Sequence, residues 1–244
     1  MILTALLISS SLLAQSSADS VFKAPIHSIS EIPNGIADID VDQEGNLYLL
    51  QTDRHRIYKY FKVTDYDSVQ VIGGKGIGAE GFNFPTKITV PNRQSIWVLD
   101  QMNRRLVQMN TNLKVIAEVN FLTLEASLSN SGIEDFWPVS IAVGPSGELF
   151  YLNQEDIRVY KFRTNGSLER YFGGLDYGNG SLEDPWDIVV NGANQIFAVD
   201  STNQRLSLFD LFGTYLYALE FPLDFRWKRL VTVGNNLFSV SYTH

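Results

Sequence analysis

A glycine-rich segment has the spacing of a phosphate-binding loop. Gly76, Gly78 and Gly81 follow an apparent strand, and Asp100 lies 19 residues beyond the third glycine. This G-x-G-x-x-G spacing is typical of dinucleotide binding only where a helix follows it. Residues 82–90 (FNFPTKITV) contain proline and β-branched side chains instead, so the sequence argues against a nucleotide site.

Acidic residues early in the chain resemble the start of a calcium-binding loop. Asp40, Asp42, Glu44 and Gly45 fit the first positions, but the twelfth is Gln51 rather than a bidentate glutamate. The segment also overlaps a predicted hairpin, in which alternate side chains point to opposite faces. No calcium site is predicted here.

Catalytic and metal-ligating side chains are sparse. The chain has no cysteine, and its three histidines, His27, His55 and His244, fall in separate predicted elements. A metal centre needs several ligands that converge, and no nucleophile motif is present. The sequence therefore predicts no catalytic residue, metal or cofactor, and a protein that is not an enzyme.

Two Asp–Arg pairs occupy the same place in two segments 100 residues apart. Asp100 and Arg105 bracket one polar turn, and Asp200 and Arg205 bracket the other. Either these residues contact a ligand, or each aspartate stabilises the turn while the arginine pairs within or between sheets. Because catalysis needs one site, repetition favours the structural interpretation.

The elements around these residues repeat along the chain. Residues 73–106 and 173–206 align without a gap, and residues 36–60 and 139–162 follow the same plan. A fifth copy begins at Trp227. The repeats are anchored by one isoleucine each, with an arginine at the fifth equivalent position: Ile39, Ile88, Ile141, Ile188 and Arg229.

Each unit contains four short apolar runs separated by turn residues. Runs rich in β-branched and aromatic residues, split by Gly, Asn and Asp, predict strands in hairpins. No stretch after residue 20 has a sustained helical period. Four antiparallel strands repeated every 40–50 residues predict an all-β fold: a β-propeller of four-stranded antiparallel blades with five recognisable repeat units, the last incomplete.

The repeated pattern resembles the NHL-repeat family of β-propellers. Glycines, an F-x-x-P segment, a strand, an aspartate and N-x-R-[IL] recur in residues 73–106 and 173–206. Two units depart from it, because Gln51 and Asn153 replace the aspartate. The resemblance implies a propeller over residues 21–244, and six blades are usual in the family. The predicted units lie near residues 36–80, 86–135, 139–180, 186–225 and 227–244.

Closure of the ring is left open by the sequence. Residues 22–30 (FKAPIHSIS) could supply an outer strand to the last blade and remove an exposed sheet edge. The fifth unit stops without a third strand, so a chain cut short of a sixth blade is the alternative. We expect five units in an arc or a tight ring.

The N-terminus and the overall charge indicate an exported protein that does not bind nucleic acid. Residues 2–13 are apolar, too short to span a bilayer, and followed by small residues. Residues 1–20 are therefore predicted to be a signal peptide cleaved near Ala14 or Ala18, which would place the chain outside the cell or in the periplasm. No later apolar run predicts a membrane span. The net charge of −8 argues against nucleic acid.

The loops that lead into each first strand carry the candidate binding residues. Pro85, Pro138 and Pro185 each precede an anchor isoleucine by three residues, and aromatic and charged residues surround them. Equivalent loops converge at one end of a propeller, where aromatic side chains make contact surfaces. The candidates are Phe84, Lys87, Phe136, Trp137, Trp186, Asp187, Arg226 and Trp227. Packing between blades is the alternative role for each.

The predicted function is a binding or scaffold module that displays loops to a protein or peptide. Two alternatives stay open. Related propellers include lactonases and lyases with a metal in the central channel, so a metal-dependent hydrolytic enzyme is one. A sensor domain for a small ligand is the other.

Overall fold

The computed structural model describes residues 2–8, 32–129, 133, 135–200, 202, 204–220 and 229–243, without side chains for 2–8 and 239–243. Within these ranges nineteen strands form five antiparallel sheets, four of them four-stranded. This architecture confirms the predicted all-β propeller of four-stranded blades.

Four complete blades follow one another along the chain. Blade 1 contains β2 (Ile36–Val41), β3 (Leu47–Gln51), β4 (Arg56–Tyr60) and β5 (Val69–Gly73). Blade 2 contains β6 (Pro85–Thr89), β7 (Ile96–Asp100), β8 (Arg105–Met109) and β9 (Val115–Asn120). Blade 3 contains β10 (Pro138–Val143), β11 (Leu149–Asn153), β12 (Arg158–Phe162) and β13 (Leu168–Gly173). Blade 4 contains β14 (Pro185–Val190), β15 (Gln195–Asp200), β16 (Arg205–Asp210) and β17 (Tyr215–Glu220).

The fifth sheet has three strands and closes the ring. It contains β18 (Arg229–Val233), β19 (Asn236–Thr243) and, paired with β19, β1 (Ile2–Ile8). The first strand of each sheet is innermost and lies beside that of the next blade, and β18 lies beside β2. Residues 22–30, predicted as a completing strand, lie outside the described residues. The third strand observed comes instead from the apolar part of the predicted signal peptide.

Buried apolar side chains form one cluster at each of the five contacts between neighbouring sheets. Between the fifth sheet, which we call blade 5, and blade 1, for example, Val231 packs with Ile39 and Leu49. A single four-stranded sheet cannot bury both of its faces, so each blade depends on its two neighbours. The ring, rather than the individual sheet, is therefore the unit of stability.

Among the described residues, one α-helix departs from the all-strand expectation. The segment α1 (Phe121–Leu128) follows β9 directly, and the Asn120 side chain accepts the Thr123 N–H at 3.1 Å as its N-cap. Eight residues are too few for a helical period to stand out. This explains why the sequence pattern does not indicate it.

The fifth repeat is shifted by one residue from its sequence alignment. The N–H groups of Ile88 and Ile188 each donate to a side chain of the preceding blade, and in the fifth sheet the N–H of Leu230, not of Arg229, donates in the same way to Asp187. Its hairpin joins Val233 to Asn236 by two residues. The anchor position therefore belongs to Leu230.

Candidate functional site

Two ends of the ring differ in the backbone segments that form them. One end, which we call the connection face, holds the links between blades and the turns between second and third strands. The Gly74 N–H, in such a link, donates to the carbonyl of His55, in such a turn, at 2.8 Å. The other end, the hairpin face, holds the turns that leave the innermost strands.

The connection face carries exposed apolar side chains. Large apolar residues that are more than one-third exposed on its loops, and on helix α1 beside them, are Ile77, Phe84, Met102, Leu122, Leu175 and Tyr177. The loops that carry Phe84 and Met102 are joined, because the Met102 N–H donates to the carbonyl of Asn83 at 3.0 Å. Exposed apolar groups collected on one face are typical of interaction surfaces.

Phe84 is held in an unusual conformation at this face. It is 50% exposed and its φ is +56°, and its N–H donates to Nδ1 of His55 at 2.9 Å. The equivalent residue in blade 1 is Gly35, with φ +76°. A left-handed conformation costs a side-chain-bearing residue about 1–2 kcal/mol. Phenylalanine thus stands where glycine would be easier to accommodate.

Two predicted binding residues are half-buried tryptophans that stack on arginines. The Arg104 guanidinium lies 4.7 Å from the ring centroid of Trp137, and that of Arg229 lies 5.5 Å from Trp186. Arg104 also donates to the Glu125 carboxylate at 2.8 Å. The first contact joins two loops, and the second joins the innermost strands β14 and β18.

The remaining described candidates lie inside the protein. Phe136 is fully buried and makes edge-to-face contacts with Phe121, Tyr151 and Tyr160 between blades 2 and 3. Lys87 and Asp187 lie in the central channel, where both are almost completely buried. These three side chains were predicted to lie on exposed loops. The structure corrects this prediction, because all three are buried. Arg226 and Trp227 lie outside the described residues.

The central channel is filled by one residue from each blade. The five occupy the same position of the innermost strand: Asp38, Lys87, Ser140, Asp187 and Arg229. In the four complete blades a register shift in the ladder lies directly before this position. Such a bulge re-aims the side chain that follows it.

Lys87 joins the channel residues into a charged network. Its Nζ lies 2.7 Å from Oδ1 of Asp187 and 3.9 Å from Oδ2 of Asp38. Ser140 Oγ donates to the same Asp187 oxygen at 2.7 Å. The Arg229 guanidinium lies 3.4 Å from Asp38. Two cations and two carboxylates therefore balance in the channel.

The pKa values of the two channel carboxyls are shifted in opposite directions. Burial raises the pKa of Asp38 above its ordinary value, although Lys87 and Arg229 act in the opposite direction. Burial also tends to raise the pKa of Asp187, but the charges of Lys87 and Arg229 and the hydrogen bonds outweigh it, so that pKa is lowered. The shorter Lys87 contact belongs to Asp187, in agreement with this difference.

A cavity of about 210 Å³ opens at the hairpin face beneath this network. Asp40 lines it, and its carboxylate accepts the Val90 N–H at 2.6 Å and the Val41 N–H at 2.8 Å. Burial raises the pKa of Asp40 to about 7, against these hydrogen bonds and the charge of Lys87. The cavity is smaller than a typical ligand pocket.

The repeated Asp–Arg pairs hold the connections between blades. Asp100 accepts the Asn83 N–H at 2.7 Å and pairs with Arg105 at 2.9 Å. Arg105 also donates to the carbonyls of Gly78 and Gly81 at 2.9 and 2.7 Å. In blade 4, Asp200 accepts the Glu183 N–H at 2.9 Å, and Arg205 donates to the Ser181 carbonyl.

The units that depart from the aspartate pattern keep a polar contact at the same position. In blade 3, Asn153 accepts the Trp137 N–H at 2.5 Å. In blade 1, Gln51 donates to the Asn34 carbonyl at 2.6 Å and accepts the Tyr58 hydroxyl at 2.8 Å. Each of these residues binds the backbone that leads into its own blade, which explains why the position is polar throughout.

A cleft of about 530 Å³ lies on the connection face of blade 1, and the sequence analysis did not predict it. Exposed Arg54, Arg56 and Lys75 line it, together with Asp53 and His55. The one signal in the sequence is the replacement of aspartate by glutamine at position 51, which removes the partner of the repeat arginine.

The motifs that suggested ligands have structural roles in the described residues. The glycine-rich segment is a blade connection whose carbonyls accept hydrogen bonds from Arg105, and strand β6 rather than a helix follows it. Asp42 accepts the Asn46 N–H at 2.8 Å and the Tyr48 hydroxyl at 3.1 Å within its own hairpin. No group of three or more His, Cys, Asp or Glu side chains converges within the described ranges. His27 and His244 lie outside them.

Comparisons with known proteins identify the fold. No protein-family model matches the sequence, and no curated protein matches it. A streptogramin B lyase structure is similar over 80% of this chain and 58% of its own, with 13% identity and a TM-score of 0.55. A catalytically inactive virginiamycin B lyase from Staphylococcus aureus with quinupristin is similar over 87% and 66%, with 14% identity and a TM-score of 0.56.

A third similar structure is a Bacteroides fragilis protein assigned as exported. It matches over 89% of this chain and 55% of its own, with 14% identity and a TM-score of 0.58. The chain spans less than two thirds of the length of each of the three. The chain therefore shares the β-propeller fold of these structures.

The lyase structures also correct one prediction. The sparse catalytic side chains led to the prediction that the chain is not an enzyme, whereas solved structures that share its fold include lyases. A small number of histidines does not exclude catalysis for this fold. Among the described residues, no helix is long and apolar enough to cross a membrane.

Proposed function

We propose that the chain binds a protein or peptide segment on the connection face of its propeller. The observation that carries this proposal is Phe84, an aromatic side chain half exposed at positive φ where blade 1 has Gly35. Backbone strain at an exposed side chain is frequent at functional sites. Met102 and Ile77 are also exposed on loops of the same face.

The half-buried tryptophans support the same surface. Trp137 and Trp186 are each stacked on an arginine, so their exposed edges are presented by fixed rings. Rigid aromatic groups lose little conformational entropy on binding. The closed ring of blades supplies the stiff scaffold on which the loops are displayed.

Panning a random peptide library against the full chain tests this function. Phe84→Gly relieves the positive φ while removing the ring, and Phe212→Ala removes an exposed ring from the hairpin face as the matched control. We expect enriched peptides whose binding is lost in Phe84→Gly and kept in Phe212→Ala. The free energy of unfolding of Phe84→Gly should stay within about 1 kcal/mol of wild type, because strain relief offsets the lost contacts. No enriched peptide, or equal binding by both variants, would refute the proposal.

We further propose that the protein is exported, with residues 1–20 as its signal peptide and residues 21–244 as an NHL-type propeller. Cleavage would remove β1 from the fifth sheet and leave β18, which contacts the innermost strands of blades 4 and 1. The apolar run with small residues after it supports export, as does similarity to an exported protein. Recurrent glycine, F-x-x-P and N-x-R patterns support the NHL type. N-terminal sequencing of the protein from the cell envelope or medium tests export. A sequence that begins before Ala14 would contradict it.

A further inference from the structure

The repeat arginine of blade 1 differs from its counterparts in other blades. Arg56 begins β4 as Arg105 begins β8, Arg158 begins β12 and Arg205 begins β16. Arg105 pairs with Asp100 at 2.9 Å, Arg158 contacts Asp176 at 3.3 Å, and Arg205 donates to the Ser181 carbonyl. These three arginines hold blade connections in place.

Arg56 has no such structural partner among the described residues. Gln51 stands where Asp100 stands in blade 2, and its amide is occupied by the Asn34 carbonyl and the Tyr58 hydroxyl. Within the described part of the chain the exposed Arg56 side chain makes no hydrogen bond or ion pair. Among the described residues, no group competes with an external anion for its guanidinium.

Two more cations share the cleft with Arg56. Arg54 and Lys75 are both exposed and line the same volume of about 530 Å³, and among the described residues that line it Asp53 is the one carboxylate. A cationic cleft is unusual on a chain whose net charge is −8. Arginine is the side chain best suited to bind a carboxylate with two parallel hydrogen bonds.

The cleft adjoins the apolar surface described above. His55 lines the cleft, and its Nδ1 accepts the N–H of Phe84 at 2.9 Å. One residue thus links the cationic group to the exposed ring. A bound segment that covers Phe84 with an apolar side chain would place its neighbouring residues over Arg56 and Lys75.

We infer that the cleft of Arg54, Arg56 and Lys75 binds an Asp or Glu side chain of the peptide that packs on Phe84. This inference rests on the proposed peptide-binding function and specifies the chemistry of the partner. Charge complementarity favours an acidic segment and disfavours a basic one. The expected ligand has an aromatic or aliphatic side chain within a few residues of a carboxylate.

A defined pair of peptides tests the inference. The probes are a fluorescein-labelled peptide Ac-Glu-Leu-Glu-Phe-Glu-Leu-amide and the same peptide with glutamine for each glutamate, titrated with the full chain by fluorescence polarisation. We expect the acidic peptide to bind about tenfold more tightly at low salt, and Arg56→Gln and Lys75→Gln each to remove most of that difference. Arg93→Gln, an exposed arginine at the hairpin face, is the matched control and should have no effect.

The outcomes separate this inference from the proposed function. Equal binding of the two peptides, lost in Phe84→Gly, would overturn the acidic partner and leave peptide binding in place. A preference for the acidic peptide that survives the Arg54→Gln/Arg56→Gln/Lys75→Gln variant would also overturn it. Binding of neither probe, together with no peptide enriched from the random library, would overturn the proposed function itself.

Discussion

Lys87 and Asp187 lie 100 residues apart in the chain, and Nζ of one is 2.7 Å from Oδ1 of the other. They hold the same position in the innermost strands of blades 2 and 4, and both are almost completely buried. Two residues that the alignment pairs as equivalents are thus partners across the channel. The contact connects blades that are not neighbours.

The first prediction concerns this ion pair. Lys87→Met should lower the free energy of unfolding by about 3–5 kcal/mol, because it leaves Asp187 and Asp38 buried without their ammonium partner. Urea denaturation followed by tryptophan fluorescence measures the change. Adding Asp187→Leu should recover part of the loss. An unchanged urea midpoint in Lys87→Met would show that the network contributes nothing to stability.

The second prediction concerns pH. Since the folded-state pKa of Asp40 is raised from 3.8 to about 7, the folded protein keeps a proton that the unfolded chain loses. The stabilisation of the folded state by protonated Asp40 is complete below about pH 4 and is lost as pH rises towards 7. In this range the free energy of unfolding falls by up to roughly 1.4 kcal/mol per pH unit.

Asp40→Asn should remove that slope. Urea denaturation at several pH values between 4 and 8 measures it, and the difference between wild type and variant isolates Asp40 from other carboxyls. Asp53→Asn, at an exposed site on the connection face, is the control. Parallel stability curves for wild type and Asp40→Asn would show that this carboxyl titrates normally.

The third prediction compares equivalent arginines in two blades. Arg105→Ala should cost about 3 kcal/mol, because Asp100 is then buried without its charged partner. Arg56→Ala should change the free energy of unfolding by less than about 0.5 kcal/mol, as expected for an exposed site. Chemical denaturation of both variants gives the comparison. Equal losses would mean that Arg56 has a structural partner after all.

The fourth prediction concerns two glycines of the same blade connection. At Gly73, φ is +105° and an added Cβ would lie 2.4 Å from the His55 carbonyl, whereas no atom lies within 4 Å of one at Gly78. Gly73→Ala should therefore destabilise the chain by about 2 kcal/mol. Gly78→Ala should have little effect. Thermal unfolding of the two variants checks this, and similar transition temperatures would contradict it.

Repetition in the sequence predicted the blades well and the functional surface only in part. The polar residue that ends each second strand, whether Asp100, Asn153 or Gln51, binds backbone near the start of its blade in every complete unit. A pattern search detects the aspartate but not the shared contact. It also could not indicate that Gln51 bonds to Asn34 and Tyr58 rather than to Arg56, since that depends on the direction of the Gln51 amide in the folded chain.

Apolar alternation and turn residues determined that this chain forms short strands in four-stranded units, because that pattern depends only on neighbours along the chain. Tertiary structure decided which side chains enter the channel. A register shift between Pro85 and Lys87, and its equivalent between Pro185 and Asp187, directs both charges inward. A register shift of this kind depends on how strands that are distant in the sequence pair when the ring closes. The local sequence pattern around Lys87 and Asp187 therefore does not reveal it. The same packing buries Phe136 and leaves Phe84 at the surface.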